Sequence, residues 1–163
     1  MITFRHATPD DIPLLQRLAD AIWHEAFADI ITREQIDLML SRMYAPETIR
    51  SEMAGGVVWQ VLEENGTPLG YVSYSMIEPA VCKLHKIYVL PAHHGRGLGK
   101  RCLAEAADFA RTRGAVKMIL QVNRRNFKAQ GAYHAFGFRV EESVDWEFAP
   151  GFMLDDYKMS LPL

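Results

Sequence analysis

His93-His94-Gly95-Arg96-Gly97-Leu98-Gly99-Lys100 follows a strand-like segment, Leu84 to Leu90, and precedes a helix-like one with apolar residues at Leu98, Cys102, Leu103, Ala106, Phe109 and Ala110. A glycine-rich turn in that position serves one of two purposes. It tightens the connection, since glycine turns the chain at little steric cost. Alternatively it brings backbone N–H groups and the positive end of a helix dipole up to an anion. The glycines alone leave both readings open. They do set aside two familiar phosphate sites, because Lys100 stands where a dinucleotide fold has its third glycine and His94 where a Walker loop has its first.

Upstream of this turn, Val57 to Leu62 reads as a strand, Glu64-Asn65-Gly66 as a hairpin turn and Leu69 to Ile77 as the partner strand, with a third strand from Val81 to Val89 ended by Pro91. Near the start, Ile2 and Phe4 suit a short strand. Thr8-Pro9-Asp10-Asp11 then cap a helix whose residues Ile12, Leu15, Leu18, Ala19, Ile22, Trp23 and Ala26 recur on one stripe. Further helices are expected from Thr32 to Met43 and from Pro46 to Gly55-Gly56. Downstream, the glycine run opens a helix ending at Arg111, Arg113 and Gly114; a strand around Met118 to Val122, a helix from Asn126 to Phe136, a strand-like Phe138 to Val144 and a last strand near Tyr157 to Leu161 follow. This order predicts an α/β (mixed α+β) fold in a single domain, residues 1–163, with helices on both faces of a mixed sheet.

A chain of 163 residues is long enough to bury about two thirds of its unfolded surface. Its net charge of −2 carries no basic excess for a polyanion, so nucleic acid is not the expected partner. Cys82 and Cys102 form no C-x-x-C pair, and the adjacent His93-His94 cannot readily share one ion, so no metal site is expected. No apolar run approaches the ~20 residues of a membrane span, and Met1 to His6 has no signal-peptide core, so a cytoplasmic location is the expectation.

Three features together carry a resemblance: the strand Leu84-His85-Lys86-Ile87-Tyr88-Val89-Leu90-Pro91, the glycine run, and Asn126-x-x-Ala129-x-x-x-Tyr133-His134-x-x-Gly137-Phe138. They resemble the GCN5-related N-acetyltransferase family, whose signature Q/R-x-x-G-x-G/A aligns with His94 to Gly99, His94 replacing the usual glutamine or arginine. The resemblance implies a central, mostly antiparallel sheet of six to seven strands flanked by about four helices. It also implies acetyl-CoA as acyl donor and direct attack by a primary amine. Glu34-Gln35-Ile36, Met39, Tyr44, Pro46-Glu47 and the tail Asp155-Asp156-Tyr157-Lys158-Met159 further resemble the bacterial branch with polyamine N-acetyltransferases, making a small amine, polyamines included, the expected acceptor.

The resemblance also implies roles for particular residues. The main chain of Ile87, Tyr88 and Val89 runs beside the pantetheine, with the Val89 amide aimed at the acetyl carbonyl. The amides of His94, Gly95, Arg96, Gly97, Leu98, Gly99 and Lys100 cradle the pyrophosphate, His94 chiefly through its backbone; the Arg96 and Lys100 side chains either add phosphate contacts or are solvated surface charges. Asn126 contacts the cofactor, caps its helix, or does both. Tyr133 sits at the family's general-acid position, though the same spacing suits a core aromatic. For the base, His85 is the first candidate, since two-residue alternation over four positions points it to the same face as Val89; a water relay is the alternative and Glu78 the runner-up. Glu25, Asp29, Asp145 and Glu147, on two loops flanking the cleft (23–31 and 144–153), either attract a cationic amine or are ordinary surface acids. Trp146 and Phe148 either wall the pocket or support a homodimer. Within the enzymes, peptide N-termini or lysines are the competing acceptors, and two other functions stay in view: a non-catalytic acyl-CoA sensor and a nucleotide-binding protein.

Overall fold

The computed structural model describes residues 1–163, and its elements run β1 (Ile2–His6), α1 (Ile12–Ala26), α2 (Arg33–Met43), α3 (Pro46–Ala54), β2 (Val58–Glu64), β3 (Thr67–Glu78), β4 (Val81–Val89), α4 (Leu98–Thr112), β5 (Lys117–Asn123), α5 (Phe127–Phe136), β6 (Arg139–Ala149) and β7 (Phe152–Pro162). Local chemistry starts several of them. Pro9 to Asp11 make a single tight turn before α1, held by the Asp11 carboxylate, which accepts from the Thr8 N–H at 2.9 Å and from Arg5 at 3.0 Å. Thr32 and Gln35 exchange backbone-to-side-chain bonds of 3.0 and 3.1 Å, a capping box that opens α2. Asn65 and Gly66, both at positive φ, turn β2 into β3.

The strands form one seven-stranded sheet in the order β1-β2-β3-β4-β5-β7-β6, antiparallel except between β4 and β5. That one parallel pair decides the site. It is joined only at Val81, Cys82 and Lys83 against Lys117, Met118 and Ile119, after which the two strands part. One face of the sheet packs under α4 in a core that includes Val72 of β3 and Leu84 and Val89 of β4, with Cys102, Leu103, Met118 and Phe138. The other face lies under α1, α2 and α3, where Trp23, Tyr44, Trp59, Tyr71 and Phe152 meet.

The structure adjusts three expectations. Five α-helices flank the sheet, one more than the about four that the resemblance implies and the same five that the sequence pattern predicts, Pro46 to Ala54 among them with Ile49 buried. The segment 144–153 is not a loop: β6 runs to Ala149, Gly151 turns at φ 77°, and Val144 and Trp146 pair with Asp156 and Leu154 of β7. Finally, strict alternation fails along β4. Ser73 pairs with Lys86 but Tyr74 pairs with Leu84, so His85 is the extra residue of a β-bulge and the strand beyond it is flipped by one position.

Candidate active site

The slot opened by the parting of β4 and β5 connects the two faces of the sheet through one cleft of about 930 Å³. On the α4 face its wall is made by Gly95, Gly97, Gly99, Lys100, Leu103, Asn126, Ala129, Ala132 and Tyr133; on the other face by Trp23, Phe27, Met39, His85, Lys86, Leu154 and Asp156. Leu90 N–H donates to the Leu69 carbonyl at 2.8 Å, and the ladder alternates, so the Val89 N–H next to it turns away from β3 into the slot. The amide expected to face an acyl carbonyl does face open space. Gly70, opposite Val89, is what lets β4 come so close: a Cβ there would sit 3.0 Å from the Val89 Cα and closer still to the Tyr88 carbonyl oxygen.

The glycine run forms the mouth of the α4-face half. Gly95 and Gly97 hold φ of 79° and 74°, a region glycine enters freely, and an added Cβ at Gly95, Gly97 or Gly99 would meet no atom within 4 Å. No N–H from Gly95 to Lys100 donates to a backbone or side-chain acceptor, whereas Arg101 resumes the ladder on Gly97 at 3.2 Å. Consecutive free donors at a helix N-terminus fit a pyrophosphate without rearrangement.

His94 departs from its expected role. Its own N–H is spent on the Pro91 carbonyl at 3.1 Å, so the backbone of this residue is not part of the free-donor run. Its side chain acts instead: Nε2–H donates to the Val89 carbonyl at 2.8 Å, and Nδ1 accepts from the Lys128 ammonium at 2.8 Å. The imidazole thus ties the glycine turn to β4 and to α5. Arg96 is likewise committed elsewhere. Its guanidinium is ion-paired with Glu64 and donates to His93 Nδ1 at 2.9 Å, which leaves only its amide for an anion; Lys100 lines the cleft without an ion-pair partner.

Asn126 is the N-cap of α5, its side-chain oxygen accepting from the Ala129 N–H at 3.2 Å, and it lines the cleft as well. Tyr133 lies about two helical turns further along, half-buried against Phe138 at a ring separation of 6.0 Å. Burial pushes its phenol above the usual range, and the hydroxyl has no hydrogen-bond partner in the protein. Tyr88 reaches into the same space, where burial first and then Tyr71, Tyr133 and Asp156 oppose its ionisation.

On the other face, the bulge turns His85 toward Ser75, whose hydroxyl lies 2.7 Å from Nε2. Burial, then the charges of Lys86 and Lys83, push this imidazole down to about 4. Lys86 itself is buried, its ammonium 4.8 Å above the Trp59 ring and 3.8 Å from Glu52. Because of the bulge, His85 shares the side of the sheet opposite to Val89. It still borders the cleft, by a local irregularity that alternation does not register. Glu78, at the exposed end of β3, lies outside the cleft.

Of the acids expected near the acceptor, Glu25 lines the cleft, while Asp145 is held by Arg124 at 3.1 Å on the outside. The sequence does not single out Asp156 as an acid, yet it lines the cleft and is 8% exposed. Its signal is a place two and four residues beyond Leu154 and Phe152, an alternation that a strand starting near Tyr157 hides. Arg125 closes this end. Its two Nη atoms donate to the carbonyls of Asp29 and Ile30 at 2.7 and 2.8 Å, pinning the loop after α1 to the loop before α5.

A splayed parallel pair, a bare backbone cradle at a helix start and a slot between them define an acyl-CoA-binding fold. Residues 15–138 match the acetyltransferase (GNAT) family, and the chain belongs to it. Spermidine N(1)-acetyltransferase of Thermoplasma acidophilum is 24% identical over 152 residues, covering 90% of this chain and 94% of that protein. The N-alpha-acetyltransferase RimI of Mycobacterium tuberculosis is 40% identical over 77 residues, 45% of this chain and 47% of that one. The crystal structure of PaiA N-acetyltransferase from Thermoplasma acidophilum in complex with coenzyme A superimposes with a TM-score of 0.86 at 21% identity, covering 100% of this chain and 99% of that one. The enzyme is an acyltransferase of the N-acetyltransferase class with acetyl-CoA as its donor. No helix is long and apolar enough to cross a membrane.

Proposed function

We propose that the protein acetylates a primary amine on a small molecule by direct attack on acetyl-CoA, with Tyr133 as general acid. The observation that carries this reading is Tyr133, which lines the slot with its hydroxyl unpartnered, the same slot into which the Val89 N–H points. Bound acetyl-CoA supplies an acetyl group activated by its thioester; the protein's part is placement, oxyanion stabilisation and proton handling. The amides from Gly95 to Lys100 and the Lys100 side chain hold the pyrophosphate, and Asn126 borders the same path. Val89 N–H is fixed in advance where negative charge develops, a donor of the kind whose removal costs about 3 kcal/mol of barrier lowering. Tyr133 keeps its proton at neutral pH because burial raises its affinity, and yields it to a departing thiolate.

A primary amine with an intrinsic pKa near ~10 is almost wholly protonated at pH 7, which costs about 4 kcal/mol unless a group takes the proton. His85 or a water relay is the expected route. Held to Ser75 and flanked by Lys83 and Lys86, His85 is a weak base in a positive field, and these surroundings favour the relay over direct transfer to the imidazole. The acceptor half of the cleft combines Trp23, Phe27, Met39 and Met43 with Glu25 and Asp156, a lining suited to an amine on an apolar or flexible carbon chain. The spermidine-acetylating relative agrees with that class, polyamines included.

The test is thiol release from acetyl-CoA over a panel of polyamines, amino acids and peptides, with Tyr133→Phe as comparison. Turnover with a small amine is expected, and the variant should lose about two to four orders of magnitude in kcat while binding acetyl-CoA as before. Wild-type turnover by the variant would remove Tyr133 from the mechanism, and tight acetyl-CoA binding with no turnover on any amine would favour a sensor.

A further inference from the structure

We infer that Asp156 receives the acceptor's ammonium and is the base that takes its proton. The inference rests on the direct-attack reading and gives the proton relay an end point. Asp156 is the one carboxylate in the cleft that is more than nine-tenths buried. It stands on β7 opposite Asn123 of β5 and Val144 of β6, on the face of the sheet shared with Leu154 and Phe152. One of its oxygens accepts from the Trp146 indole N–H at 3.1 Å, which leaves the other to the cleft. The nearby cation that would otherwise neutralise it is occupied: Arg124 is paired with Asp145 at 3.1 Å and Asp155 at 2.9 Å.

A buried carboxylate without its own counter-ion is costly, and a structural role does not account for keeping one at the wall of a cleft. An incoming ammonium compensates it. Burial raises the affinity of Asp156 for a proton, the Trp146 bond and Arg124 lower it, and Asp145 and Lys83 add smaller opposite effects. Asp155 beside it on β7, Glu25 of α1 and the Tyr88 hydroxyl add to the charged and titratable surroundings. The contrast with His85 is one of sign: a carboxylate attracts the cation that an imidazole between two lysines repels.

The proton balance closes. Asp156 takes the first proton of the ammonium, which frees the lone pair that forms the N–C bond as the C–S bond breaks. Tyr133 gives its phenol proton to the departing sulfur and is reprotonated by the second proton of the same nitrogen. Asp156 returns its proton to solvent, so each turnover releases one.

Asp156→Asn keeps the shape and removes the charge. In the CoA-loaded enzyme, calorimetry should show spermidine, or whichever panel amine turns over, binding at least about 10-fold more weakly to the variant, with acetyl-CoA affinity unchanged. In turnover, kcat/KM for the amine should fall about 100-fold or more and lose its acid limb. Trp146→Phe, which removes the bond that favours the carboxylate, should move that limb to higher pH, a shift that a merely structural aspartate would not produce. Equal amine binding by the Asp156→Asn variant, or loss of the acid limb in His85→Gln in its place, would overturn the inference. If the wild-type enzyme binds amines through Asp156 but acetylates none, the direct-attack reading fails while the binding site stands.

Discussion

Gly70→Ala tests whether the position of β4 is what makes the site work. Gly70 faces Val89 across the β3–β4 ladder, and a Cβ there would approach the Val89 Cα to 3.0 Å and the Tyr88 carbonyl carbon to 3.2 Å, overlapping the carbonyl oxygen more deeply. Carbon contacts normally sit at about 3.5 Å, so relieving the overlap takes a movement of about 1 Å in one strand or the other. Both strands are packed on both faces, and overpacking of this kind costs about 1–3 kcal/mol. For a domain of this size that corresponds to a fall in Tm of roughly 3 to 10 °C. The larger effect is on chemistry. The displaced atoms belong to the peptide that carries the Val89 N–H, and a misplacement of about 1 Å in a reacting geometry is worth about 100-fold in rate. Steady-state kinetics on the amine found in the screen, beside calorimetric melting, measures both, with kcat falling further than acetyl-CoA affinity. Gly131→Ala is the control: it sits in α5 with nothing within 4 Å of an added Cβ, so the same chemical change should leave kcat alone and raise stability by up to about 1 kcal/mol. A Gly70→Ala enzyme with unchanged kcat would refute the argument that the Val89 amide is positioned by this close approach.

Two further outcomes follow from side chains around the slot. His85 binds its proton at about 4 in the folded protein and at 6.5 when unfolded, so the unfolded chain takes up more protons between those values and stability falls as pH drops from 6.5 toward 4; the full effect would be about 3 kcal/mol, reduced to about 1–2 by solvent at a half-buried ring. Denaturant melts at pH 7.5 and 4.5 should therefore show a smaller loss in His85→Gln than in the wild type, and equal losses would mean that the ring is not held neutral by its surroundings. His94→Phe removes both the bond to the Val89 carbonyl and the one from Lys128, and should weaken acetyl-CoA binding about 5- to 10-fold; His94→Gln, which restores a donor for the carbonyl, should recover most of it, and failure of that rescue would mean that the tie to β4 is not what matters.

Much of the donor half was legible because it is written in backbone chemistry. Gly95, Gly97 and Gly99 announce where the chain turns and where donors lie bare, and Asn126 with Tyr133 announces the helix across the slot. The side chains around that backbone were less legible. His94 and Arg96 are polar residues on a turn, and the sequence does not say that one will reach back five residues to Val89 while the other crosses to Glu64, because both contacts depend on how β2 and β4 are laid side by side. His85 illustrates a second limit. Alternation is the only rule available for a strand read alone, and a bulge, which appears only when two strands are paired, breaks it.

Asp156 shows why the acceptor half resists reading more than the donor half does. A phosphate site can be assembled from consecutive amides, so its parts are neighbours in the chain. A receptor for an ammonium on a carbon chain needs a carboxylate and apolar walls, and the sheet draws these from α1, α2, β4, β6 and β7, whose residues are separated by more than a hundred positions. No window of sequence contains them together. The order β5-β7-β6 is what brings Asp156 next to Asn123 and beneath Trp146, and the parting of β4 from β5 is what opens that pocket toward Tyr133. Exchanging the donor-side glycines should therefore weaken the hold on acetyl-CoA, exchanging Asp156 should weaken amine binding and turnover together, and exchanging Trp146 or Met39 should change which amine is accepted. The same sheet defect serves both halves, which ties the choice of acceptor to the fold itself and not to an appended loop.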